Sequence, residues 1–287
     1  FLGGGVADRF IDPVEALLDT TPLRQHAATV FSPARVAANI TSGRVRSLAV
    51  AATVCPPASS AARSRLFVQG APPSRTPRGN AVDVVAVALG VEHLLASAAI
   101  PVLFPPVCLD APPGAAGYYV DGGVRLNAPF DAALAFGVDR VVVISGHSVA
   151  VPPVPPLLKS AAPPDLAAAT ALSMRAVLVD ALGDDLQSLR RKNQRVQQGN
   201  PTPYGVVPYL LVEPPDGALA AMAAKTFHPS GLTDPYYAIG RALDAIGDGS
   251  GRDELLSLIY FNRDYAEQQV ALGRQRAKDA LAVGWQT

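Results

Sequence analysis

Between Tyr118 and Ile144 the chain reads as strand, turn, helix and strand, and this order constrains the fold more than any other feature. Residues 118–120 form a short β-type run leading into Asp121-Gly122-Gly123. Asn127 is placed to cap a helix running to Phe136, and Gly137 to end it. Val141, Val142, Val143 and Ile144 are all apolar. A strand without alternation belongs in a parallel sheet covered on both faces. Strand, helix and strand in succession make a βαβ-type unit, which points to an α/β fold.

The flanking sequence fits that class. Asp12-Pro13-Val14-Glu15 is a helix start, with Asp12 as cap, Pro13 at the first helical position and Glu15 able to reach back. Ser47–Val54 reads as a buried strand with a partner at Leu66, Phe67 and Val68. Residues 71–80 hold three prolines and read as an exposed loop. Residues 82–99 are apolar and helical in part, until Pro101, Pro105 and Pro106 stop any helix. Residues 151–164 carry six prolines and form a linker or an extended surface crossing. Residues 166–198 turn helical, with Met174, Leu178, Leu182, Leu186 and Leu189 at three- and four-residue spacing and a weak point at Gly183. Residues 209–212 are a further strand, and the chain from Asp253 is helical. The domain expectation is one α/β domain over 1–287: a core at 1–150, the crossing at 151–164 and a mainly helical part at 165–287.

Composition excludes several classes of function. Basic and acidic residues number 24 each, which gives no basic face for nucleic acid. No apolar run reaches the ~18 residues of a membrane span. Cys55 and Cys108 lie 53 positions apart and make neither a metal pattern nor a disulfide framework. His26, His93, His147 and His228 show no metal-ligand spacing, so neither metal nor cofactor is expected.

The chemistry centres on Asp121. An apolar strand end desolvates its carboxylate, and Gly122 and Gly123 let other atoms approach closely. Desolvation disfavours the charged form and raises the pKa, which suits a general base. The residues His93-Leu94-Leu95-Ala96-Ser97-Ala98-Ala99-Ile100-Pro101-Val102-Leu103-Phe104-Pro105-Pro106-Val107, followed by the Asp-Gly-Gly block at 119–129, resemble the patatin-like phospholipase family. Residues 137–143, 19–23 and 209–214 sit in compatible order, so the resemblance runs from about Leu18 to Gly273. It implies a three-layer fold with a mainly parallel central sheet flanked by helices and a helical C-terminal part. It also implies a Ser–Asp dyad hydrolysing lipid acyl esters, with the serine in a Gly-x-Ser-x-Gly elbow and Asp121 as its base. The implied partner is a lipid or fatty-acyl ester at a membrane or micelle surface, and the implied location is cytoplasmic or peripheral membrane in a bacterium.

The sequence contains no Gly-x-Ser-x-Gly. The expectation is that the elbow and its oxyanion loop lie upstream of Phe1; Gly3-Gly4-Gly5, followed by Asp8, reads as a chance loop. Two alternatives stand beside this. One is a non-catalytic relative that binds lipid or protein. The other is an α/β-hydrolase in which Ser148, within Gly146-His147-Ser148-Val149-Ala150, acts with Asp180 and His228. Pro152, Pro153, Pro155 and Pro156 oppose the helix such an elbow needs, and a polar turn is the commoner reading. Asp184 and Asp185 with Arg190, Arg191, Lys192 and Arg195 read as a solvated helix face before a lipid-facing one. Ser97 reads as a packing serine, and a lipid contact at Leu157 and Leu158 or near Pro72 is a further expectation.

Overall fold

The computed structural model describes residues 16, 18–56, 63–77, 82–101, 103–126, 130–149, 169–170, 180–200, 205–231, 234–247 and 249–287. The helix start at residues 12–15, Gly3 to Gly5, the Asn127 cap, the Pro-rich 151–164 and Leu157–Leu158 fall outside these residues. Contacts divide the chain into two compact units, Phe1–Gly137 and Val138–Thr287.

The first unit begins with helices α1 (Thr21–Val30) and α2 (Pro33–Thr41). Ser32 caps α2 by accepting the Arg35 N–H, with Pro33 in the first turn. Strands β1 (Ser47–Val54), β2 (Ser64–Gly70) and β3 (Val82–Ala86) follow, then α3 (Val91–Ser97), β4 (Val107–Leu109) and β5 (Gly117–Asp121). Short helices α4 (Gly123–Leu126) and α5 (Phe130–Ala135) close the unit. The sheet order is β3-β2-β1-β5-β4. Along β2 the side chains alternate between two layers: Phe67 joins Ala52, Ala96 and Tyr119, while Leu66 and Val68 join Ala132. Both faces of the sheet centre are therefore covered.

The α/β class is as expected, but strand direction in this sheet is not mainly parallel. The β1–β2, β1–β5 and β4–β5 pairs are antiparallel, and β2–β3 is parallel. The reason lies in chain length. For the consecutive pairs β1–β2 and β4–β5, the short links 55–63 and 110–116 favour folding straight back. The apolar stretch from Val82 likewise opens as strand β3 and turns helical only at Val91.

The second unit holds β6 (Val141–Ile144), α6 (Asp180–Gln197) and β7 (Tyr209–Val212), then α7 (Ala218–Thr226), α8 (Pro235–Ile246), α9 (Ser250–Ile259) and α10 (Arg263–Val283). Strands β6 and β7 pair in parallel, as the apolar run predicts. Helix α6 passes Gly183 without a break, and Asn193, 1% exposed, fastens it to the chain before β7. The Asn193 amide donates to the Val207 carbonyl at 2.8 Å and accepts its N–H at 2.9 Å. Asp234 caps α8 and Asn262 caps α10. Phe227, Leu243, Leu256, Tyr260 and Tyr265 form the core between the helices. Among the described residues only one face of β6 is covered: Val143 is buried, while Val142 is 55% and Ile144 79% exposed. Among the described residues, no helix is long and apolar enough to cross a membrane.

Candidate active site

Asp121 is the last residue of β5, paired across the sheet with Ala52. Its backbone is held from a second direction. The Asp121 N–H donates to the Ala99 carbonyl at 2.9 Å, and the Gly122 N–H to the Ser97 carbonyl at 3.4 Å. The segment after α3 and the Asp-Gly-Gly turn, remote in sequence, thus meet as one piece of structure. The role of Ser97 here is its carbonyl, which side-chain chemistry alone does not reveal.

Gly122 is required by space. A Cβ there would lie 2.4 Å from the Ala51 carbonyl oxygen, so the turn can press against β1 only without a side chain. Gly123 contributes its N–H, which donates to Asp121 Oδ1 at 2.6 Å. Gly123 also starts α4, whose Leu126 N–H returns to the Gly122 carbonyl at 2.8 Å. The carboxylate therefore sits at the first turn of a helical segment, with one oxygen committed. No described residue donates to Oδ2.

Burial pushes the Asp121 pKa above the ordinary carboxylate value, and the Gly123 N–H pulls it part of the way back. The direction is the one expected from the apolar strand end. An oriented carboxylate with a raised pKa and one oxygen that no described residue holds can take a proton from a hydroxyl placed against it.

His93 is a neighbouring feature that its residue type alone does not disclose. Its Nδ1 accepts the Gly90 N–H at 3.1 Å, which fixes the start of α3. Burial lowers its pKa, and its ring meets Phe67 edge-on at 4.9 Å. It packs against Phe67 and fixes the start of α3, and the Gly-x-x-His spacing is the signal that finds it.

Residues 6–134 match the family model described as patatin-like phospholipase. Over these residues the chain is similar to that family. No curated protein matches the chain, and neither does any solved structure. The matched stretch contains Asp121, Gly122, Gly123 and the segment that holds them, and it stops short of β6. It includes the residues between α3 and β4 on which the family resemblance rests.

The remaining candidates fall elsewhere. Ser148 is 8% exposed and lines a cavity of about 200 Å³ with His147 and Pro214. His228 lines a different cavity, beside Tyr236 and Asp264, and the Asp180 side chain lies outside the described residues. Cys55 and Cys108 flank Tyr118 from opposite strands: the Cys55 N–H donates to its carbonyl, and Cys108 pairs with it in the β4–β5 ladder. Arg190 does not face solvent alone; its Nε donates to the Tyr209 hydroxyl at 2.6 Å. No group of three or more metal-binding side chains occurs among the described residues.

Proposed function

We propose that the protein is a lipid acyl hydrolase in which Asp121 is the general base of a Ser–Asp dyad. One observation carries the reading. The carboxylate that the matched stretch contains is half-buried, has a raised pKa, and is held by Gly123 through one oxygen, with no described donor on the other. In this reading Oδ2 accepts the serine hydroxyl proton as Oγ attacks the ester carbonyl. The proton then passes to the leaving alcohol, and Asp121 next takes a proton from the water that releases the fatty acid. Two carboxylate states separated by a raised pKa suit both steps. Because the sequence holds no Gly-x-Ser-x-Gly, we place the nucleophile upstream of Phe1.

Labelling of the parent protein with a serine-directed alkyl phosphonate tests this, followed by mapping of the modified peptide. The expected product is a single adduct on a serine upstream of Phe1. An adduct on Ser148 would move the chemistry to the second unit, and the absence of any adduct would leave a non-catalytic lipid- or protein-binding relative.

A further inference from the structure

The second unit contains a groove that the Asp121 chemistry does not use. It measures about 610 Å³, within the usual range for small-molecule sites. One wall is a face of the β6–β7 pair. The register sets Val142 beside Leu210 and Ile144 beside Val212, so all four side chains point the same way. The other wall is a face of α10, where Gly273, Ala277 and Ala280 are small and keep the groove open. Leu281 continues the apolar lining and is 68% exposed. Clustered exposed apolar residues of this kind mark a binding surface.

The charges that line the groove choose the occupant. Three ionised side chains line the groove, and two are committed. Glu213 accepts the Val149 N–H at 2.5 Å. Arg276 donates to the Glu213 carbonyl and to Asp279, each at 2.9 Å. Arg274 is exposed and pairs with no carboxylate among the described residues. An apolar slot with a single guanidinium that no described carboxylate pairs fits a long chain ending in one anion. A membrane surface would instead call for several cations around a flat patch. An added peptide strand would bind the sheet edge and not its face.

We propose that this groove binds a long-chain fatty acid as its anion, with the chain along Val142, Ile144 and Leu210 and the carboxylate at Arg274. The site lies wholly in residues 142–281 and stands apart from the Asp121 reading. Titration calorimetry of the full chain with oleate below its micellar concentration tests it, with oleyl alcohol as the uncharged control. Oleate binds at one site. Ile144→Glu, at a position 79% exposed, weakens binding by about tenfold or more without disturbing a packed core. Arg274→Gln weakens oleate about fivefold and leaves oleyl alcohol unchanged. Val270→Glu, equally on α10 but outside the groove, changes neither. The inference is overturned if oleate does not bind, if Ile144→Glu binds it as well as the native chain, or if only anionic phospholipid vesicles bind. It is overturned equally by a dimer that Ile144→Glu dissociates in the absence of oleate binding. No ester is present, so a failure of the Asp121 chemistry leaves these results untouched.

Discussion

Asp121 illustrates how a site residue can be bad for the fold that carries it. Its folded-state pKa lies above the unfolded value of 3.8 because burial disfavours the charge. The two states bind protons alike below that value, and the folded state loses ground as pH rises through the raised pKa. Asp121→Asn keeps an oxygen for the Gly123 N–H and removes the buried charge. Calorimetric Tm values should therefore be higher for Asp121→Asn than for the native chain at pH 7–8, and the gap should close as pH falls towards 4. Gly122 has the opposite character. Gly122→Ala drives a methyl into the Ala51 carbonyl, which lies 2.4 Å from the ideal Cβ position. The cost should be about 2 kcal/mol or more in urea unfolding.

At the scale of elements, the joints between segments decide the architecture. Asn193 on α6 satisfies both backbone groups of Val207. Asn193→Ala strands a buried N–H and a buried carbonyl together. It should cost about 3 kcal/mol in denaturant unfolding and speed hydrogen exchange at the Val207 amide. Strand β1 was legible to the residue, because eight consecutive β-compatible residues end at Cys55 and a proline pair. The direction of its pairing was not, because direction depends on how far the next strand lies along the chain and on which edge is free. Asp121 and its glycines were legible as a motif. Their hold on the Ala99 and Ser97 carbonyls was not, since backbone acceptors carry no residue signature. Gly183 was expected to weaken α6, and packing outweighs its helix propensity there.

At the scale of the whole molecule, the two proposals assign different lipid chemistry to the two units. The first unit carries nearly all of the matched stretch and the carboxylate, and the second carries an apolar groove lined in part by Arg274. The open face of β6 is where sequence reasoning and structure part most. A run of four apolar residues implies two covers, yet Ile144, beside Val212 in the ladder, is 79% exposed. The central claim is the role of Asp121, and kinetics test it most directly. Hydrolysis of a long-chain p-nitrophenyl ester by the parent protein should fall about 10²-fold or more in kcat on Asp121→Asn, with an unchanged fold by circular dichroism. A variant that keeps the native kcat would contradict the assignment of Asp121 as the base.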